Sequence, residues 1–381
     1  MGDFTIASPV IKNGKTQITV SSDGVSKLQS KKIELDLTDL NISIDNSINK
    51  LAWDIGLPLA VLQKLTVVEE LVIRTSSATV TIPMEMLQQL SGDDKGNVVL
   101  SMYVDHQLAK KPSITLSMWT GDKPIILPST SEKTKNSIQI TLPYTLLSKE
   151  SPSFVQVLQV EEDWKEDIIF KTIYDTKQKA MEFAITDLGT YKVAYIHHQF
   201  TDVHEQHWAR QHVEILASKG IIQGTSESTF DPTAEVRRGD FLVLLMRALK
   251  LSTEQPSQNI EFNDVEAGEY WYNAIHSAGQ LGIVQGTKES AFEPRAAITR
   301  EEMFVFIHRA LAVGGKATES SSSQDASVYS DWNQVSAYAR EAVSQLLEQG
   351  IVTGSDSKVK PKYTATRAEA ATLIYRVFTI K

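Results

Sequence analysis

Three arginines stand where an anion could be held. Arg300 lies in Ile298-Thr299-Arg300-Glu301-Glu302, Arg367 in Ala365-Thr366-Arg367-Ala368-Glu369, and Arg238 in the altered copy Val236-Arg237-Arg238-Gly239-Asp240. Thr299 with Glu302, and Thr366 with Glu369, have the spacing of a capping box, which places each arginine in the first turn of a helix. Free backbone N–H groups and the positive end of the helix dipole favour an anion there. A guanidinium adds a two-pronged fork suited to a carboxylate. The plainer alternative is that Thr and Glu only cap and the arginine is a surface pairing partner. On the binding reading Arg300 is exposed, so Arg300→Ala would weaken binding by about ten- to a hundredfold and leave melting nearly unchanged.

Each arginine closes a repeat. Arg238, Arg300 and Arg367 stand 36 residues after Asp202, Asp264 and Asp331, and these acids close the aromatic-x-Asp triplets that begin at Phe200, Phe262 and Tyr329. Gly220, Gly282 and Gly350, then Gly224, Gly286 and Gly354, then Pro232, Pro294 and Pro361 keep the same order. A period of this length marks a helical repeat array. In the first unit Asp202 is expected to cap a helix carrying Trp208, Val213, Leu216 and Ala217, with Gly220 as its left-handed C-cap. A second helix follows Pro232 and presents Phe241, Leu244, Leu245, Ala248 and Leu249. Helices this short are marginal alone, so the units must share a core. Polar linkers at 252–259 and 314–327 separate them.

The rest of the chain bounds the function. A length of 381 residues predicts more than one domain. There is no cysteine, which excludes disulfides and thiol chemistry, and the net charge of −9 argues against a nucleic-acid backbone as partner. No stretch is apolar enough to cross a membrane, and Met1 to Thr5 lacks the features of a leader, so the chain reads as cytosolic or as the mature part or a fragment of an exported protein. Residues 1–198 alternate as strands, for example Thr16–Val20, Lys32–Leu37, Ala78–Ile82, Val98–Val104 and Ser137–Leu142, and predict a β-sandwich. Pro58, Pro83 and Pro143 are each expected to start a helical turn that folds Leu62, Leu87 or Leu147 onto a sheet. The segment is expected to end in a meander through Ile168–Lys171, Ala180–Ile185 and Tyr191–Tyr195.

Little else suggests chemistry. Asp93-Asp94-Lys95-Gly96 lacks the remaining ligands of a calcium loop and reads as a turn. Glu161, Glu162 and Asp163 read as a solvated loop, since neighbours on a strand face opposite ways. His204 and His207 could share a metal only if they lay on one helical turn, and no third ligand completes such a site; the alternative for the cluster His197, His198, His204, His207 and His212 is a polar seam between the two halves. No cofactor is predicted, and no nucleophile elbow, zinc-protease motif or phosphate loop occurs.

Order, spacing and signature together resemble the S-layer homology domain, a tandem of three motifs with a Thr-Arg-Ala-Glu signature. The resemblance covers about half of the chain, residues 199–381, with motifs at about 199–251, 261–313 and 328–381. It implies an all-α, three-fold pseudo-symmetric trimer made by one chain, behind an all-β, sandwich-like domain. It also implies non-enzymatic anchoring of an exported protein to the Gram-positive cell wall, through pyruvylated secondary cell-wall polysaccharide held in grooves between the prongs. Carried over, the binding positions are Asp202, Trp208, Gly224 and Arg238; Asp264, Trp271, Gly286 and Arg300; and Asp331, Tyr338, Gly354 and Arg367. The aromatic ring offers a flat face for a sugar; Trp208 and Trp271 are equally readable as core anchors. Arg237 in the place of threonine, with Gly239 and Asp240, weakens the first groove, and Tyr338 with Lys358-Val359-Lys360 alters the third, so fewer than three working grooves are expected. The β-rich half more loosely resembles modules that precede anchoring repeats in Gram-positive surface proteins. It reads as a spacer or interaction module, with other surface-layer proteins as candidate partners. The competing reading is a wall-bound fragment of a larger secreted, glycan-active enzyme whose catalytic domain lies upstream or in the β-half.

Overall fold

The computed structural model describes residues 10–12, 15–20, 31–38, 50–90, 97–105, 111–127, 137–161, 166–169, 172–251, 262–287, 290–316 and 328–380. The turn at 93–96, Glu162, Asp163 and most of both linkers lie outside them. The chain forms two compact units, Met1–Ile196 and His197–Lys381.

The first unit is β-rich. One sheet runs in the order β1 (Val10–Lys12), β2 (Lys15–Thr19), β4 (Lys50–Pro58), β7 (Asn97–Asp105), β8 (Ser113–Thr120), β15 (Gly189–Tyr195), β11 (Val155–Val160), β12 (Glu166–Ile169), with β9 (Lys123–Pro124) paired to β8. The other runs β13 (Thr172–Asp175), β14 (Ala180–Ile185), β10 (Ile138–Pro143), β6 (Thr79–Pro83), β5 (Glu70–Arg74), β3 (Lys32–Asp36). Alternation decides which residues go inside. Val98, Leu100, Met102 and Val104 of β7 and Ile138, Ile140 and Leu142 of β10 are fully buried and join one core to which both sheets contribute.

Two expectations are corrected here. The last strands are not a meander: β12 pairs with β11 in the first sheet, β13 and β14 pair in the second, and β15 returns to the first between β8 and β11. Alternation is the same for either sheet, so periodicity alone could not show the crossing. Helical turns do follow Pro58 and Pro83, as α1 (Leu59–Leu62) and α2 (Met84–Gln88), with Leu62 and Leu87 buried. None follows Pro143, where Tyr144 takes the buried position and Leu147 is exposed.

The second unit is helical, with each motif giving a short helix and a longer one: α3 (Arg210–Ser218) and α4 (Arg238–Leu249), α5 (Tyr272–Gln280) and α6 (Arg300–Val313), α7 (Arg340–Glu348) and α8 (Arg367–Phe378). Gly220, Gly282 and Gly350 follow the short helices at φ of 66°, 72° and 68°, the left-handed conformation their position predicts. Each long helix packs against the short helix of the next motif, α4 on α5 and α6 on α7, and α8 returns to α3. The segments that lead into the long helices make a closed ring. Val236 N–H donates to Ala365 O, Ala365 N–H to Ile298 O and Ile298 N–H to Val236 O, each at 3.0 Å, and all three residues are buried.

Candidate ligand grooves between the helical repeats

Both capping boxes form. Thr299 and Glu302 close the one on α6, Thr366 and Glu369 the one on α8, whereas Arg237 gives α4 no side-chain cap. The backbone donors that would receive an anion are already taken. Arg300 N–H donates to Tyr363 O and Glu301 N–H to Pro361 O; Arg367 and Ala368 donate likewise to Ala234 and Pro232, and Arg238 and Gly239 to Ala296 and Pro294. The free helix terminus expected from the sequence is therefore absent, because the loop of another motif covers it.

The guanidinium groups follow the same route. Arg238 Nε donates to Phe292 O at 3.0 Å, Arg300 Nε to Val359 O at 3.0 Å, and Arg367 Nε to Phe230 O at 2.8 Å. Arg300 also pairs with Glu369 at 3.1 Å, and Arg238 Nη1 lies 2.7 Å from Glu302 Oε1, an ion-pair contact outside hydrogen-bond geometry. Arg238 and Arg367 lie over phenylalanine rings of the next motif, Arg238 with its carbon 5.0 Å from the Phe292 centroid and Arg367 4.6 Å from Phe230. Burial pushes the pKa of Arg300 and Arg367 below the usual range, opposed by nearby carboxylates. Arg238 is 3% exposed and the Arg300 side chain 14%, so the expected surface position is corrected: these arginines join one motif to the next.

Asp202, Asp264 and Asp331 do not cap the short helices, which begin several residues later. Each carboxylate instead accepts two backbone N–H groups of its own motif's loop: Phe230 and Asp231, Phe292 and Glu293, Val359 and Lys360. That fixes the loop whose carbonyl receives the preceding motif's arginine. Gly224 lies beneath the same loop, where a Cβ would come within 2.5 Å of Thr229 O and 2.6 Å of the Phe200 ring. No other residue fits without moving the loop.

The aromatic positions divide. Trp208, Tyr270 and Tyr338 are 59%, 62% and 57% exposed and each precedes its helix by two residues, whereas Trp271 is 3% exposed and packs on Gly239. The exposed ring of the second motif is thus Tyr270, six residues after Asp264 as Trp208 is after Asp202, and not its neighbour Trp271. Counting back from Gly220, Gly282 and Gly350 finds it, since each exposed ring stands 12 residues before its glycine.

One groove draws on all three motifs. Arg238 of the first, Gly286, Glu302 and Arg309 of the second and Tyr338 of the third line a cavity of about 350 Å³. Arg309 is a residue the sequence reading passed over, although Arg247, Arg309 and Arg376 each follow the signature arginine by nine residues. The three copies differ. Arg376 donates to Ile351 O at 2.8 Å, Arg247 is exposed on the surface, and the half-buried Arg309 faces the groove with no partner among the described residues. The cavity at Arg367, beside Gln223 and Phe230, is only about 30 Å³.

The histidines take separate partners. His197 Nε2 lies 2.8 Å from Glu214 and His207 Nδ1 accepts the Ala209 N–H, while His204 and His207 both lie in turns before α3. Among the described residues no three potential ligands cluster for a metal. His212 stacks on Tyr375 and lies 3.1 Å from Thr372 Oγ1, joining α3 to α8. Burial, and then the Arg376 charge, hold its pKa below 6.5. The unfolded chain therefore takes up the proton first as pH falls, and this stability is lost below about pH 6.5. Thermal melts are expected to show a drop in midpoint between about pH 7 and 5 that is smaller in His212→Gln than in wild type.

Helical repeats tied head to tail through their loops define a repeat-built module. It is of a known kind: residues 199–242, 261–304 and 328–371 match the S-layer homology domain, so the C-terminal part of this chain carries three S-layer homology domains, which implies anchoring at the bacterial cell wall. Among relatives, an amylopullulanase of Thermoanaerobacterium thermosulfurigenes is 28% identical over 81% of this chain and 16% of its own length. Exoglucanase XynX of Acetivibrio thermocellus is 34% identical over 46% of this chain and 16% of its own, and S-layer protein sap of Bacillus anthracis 27% over 46% and 20%. The chain thus spans a fifth or less of each. The 316 residues shared with the amylopullulanase exceed the helical unit and extend into the β-rich half.

Proposed function

We propose that residues 199–381 form a three-fold pseudo-symmetric anchor that holds this chain on the bacterial cell wall by taking pyruvylated secondary wall polysaccharide into the grooves between motifs. The head-to-tail cycle of helix contacts and the closed ring at Val236, Ile298 and Ala365 support the symmetry. The observation that carries the binding reading is the groove at Arg309, where an unengaged guanidinium lies in one cavity with Tyr338. A ketal carboxylate takes the guanidinium fork and the sugar ring lies against tyrosine. In this reading the signature arginines, aspartates and glycines shape the groove, and Arg309 and the exposed rings meet the ligand. Glu302 keeps Arg238 oriented beneath them.

The test is co-sedimentation of the chain with purified sacculi. It is expected to pellet with intact sacculi, and to stay in solution with sacculi stripped of secondary polysaccharide or carrying it without pyruvate. Equal pelleting with all three overturns the reading. A second reading, in which the β-half belongs to a larger glycan-active enzyme, is favoured by the amylopullulanase match that runs into it. Reducing sugar released from soluble starch by the purified chain would place activity within these residues.

A further inference from the structure

The outer face of the first sheet carries an open groove of about 570 Å³ across β2, β4, β7 and β8. That is within the range of small-ligand clefts, roughly 300–1,000 Å³. Strand register sets its floor in two rows. Gln17, Asp54, Ser101 and Ser117 stand opposite one another in the first, and Thr19, Gly56, Val99 and Trp119 in the second. Alternate residues share a face, so both rows point away from the core filled by Ile18, Ile55, Leu100 and Met118.

The first row is made wholly of hydrogen-bonding side chains. Ser101 Oγ donates to Asp54 Oδ1 at 2.6 Å, and Trp119 Nε1 donates to Ser117 Oγ at 3.0 Å, which fixes the indole at the groove's end. The second row dips at Gly56. Packing does not demand glycine there, since a Cβ would make ordinary contact 3.6 Å from Ile18 O; its effect is the notch. Trp119 is 36% exposed and walls that notch beside Asp122.

We propose that this groove binds a neutral polysaccharide chain. An indole offers an apolar plate to the C–H face of a sugar ring, and the adjoining row of amide, carboxylate and hydroxyl groups matches ring hydroxyls. Two aspartates and no lysine or arginine line it among the described residues, so an anionic wall polymer is repelled. A peptide strand has no edge to join, because β2, β4, β7 and β8 each have neighbours on both sides. The groove crosses four strands, which suits a chain better than a single sugar.

Calorimetric titration of the full chain with xylohexaose, cellohexaose and maltohexaose tests this. At least one is expected to bind, with affinity at least tenfold lower in Trp119→Ala and in Gly56→Val, which fills the notch. Both variants should melt as wild type does, and Arg309→Gln should bind the hexasaccharide unchanged. Absence of binding by all three sugars, binding that survives both groove variants, or loss of binding in Arg309→Gln would each overturn the proposal.

Discussion

Arg300→Ala is expected to destabilise the helical unit by about 2–4 kcal/mol, toward the lower end of what removing one partner of a buried ion pair costs. The side chain joins the second motif to the third through Val359 O and Glu369. Its loss leaves a loop carbonyl without its donor and strips one oxygen of the Glu369 carboxylate of its partner, in a place where little water can substitute. For a unit of this size the midpoint should fall by roughly 5–15 °C. Arg300→Lys should recover only part of that, since a single ammonium cannot serve two acceptors that lie in a guanidinium's plane. A melting curve unchanged in Arg300→Ala would restore the surface position that the signature suggests.

Arg309→Gln should do the reverse. The guanidinium has no partner among the described residues to lose, so melting should stay within a degree or two of wild type, as for ordinary surface changes. The cost appears in binding. A charge-assisted hydrogen bond is worth about 1.5–3 kcal/mol, so affinity for a short pyruvylated wall fragment should fall about ten- to a hundredfold. Arg247→Gln, the same change at the copy outside any described groove, is the control and should bind as wild type does. On intact sacculi the deficit should shrink, because a wall offers many ligands to any remaining grooves. Equal affinities for the fragment would show that Arg309 meets solvent only.

Much of this was legible in the residues. Three equal Asp-to-Arg spacings and two capping boxes located the long helices, and Gly220, Gly282 and Gly350 ended the short ones where expected. The alternation in β7 and β10 marked their inward faces. What escaped were relations between motifs. Arg300 and the carbonyl it holds are 59 residues apart, and nothing local says that the first turn of α6 lies under the loop at Pro361. An arginine beside a capped, seemingly free helix end therefore looked like a ligand contact. Tyr270 was lost to a shift of one residue: it stands six residues after its Asp, as Trp208 does, but the tryptophan beside it, Trp271, matched both the signature's residue type and the seven-residue spacing of Tyr338 in the third motif. The switch of β13 and β14 into the second sheet left no trace in periodicity, since both sheets need the same pattern.

The ring through Val236, Ile298 and Ala365 also fixes the copy number. In an open solenoid each repeat meets only its neighbours, and a repeat can be gained or lost at an end for the energy of a single junction. Here Val236 of the first motif donates to Ala365 of the third and closes the ring, so there is no end at which to add. Deleting one motif breaks two junctions and strands an arginine, and a fourth has no carbonyl left to receive it. Such an array can diversify its three motifs one at a time, as the different surroundings of Arg247, Arg309 and Arg376 illustrate, but it can grow only by duplicating the whole ring.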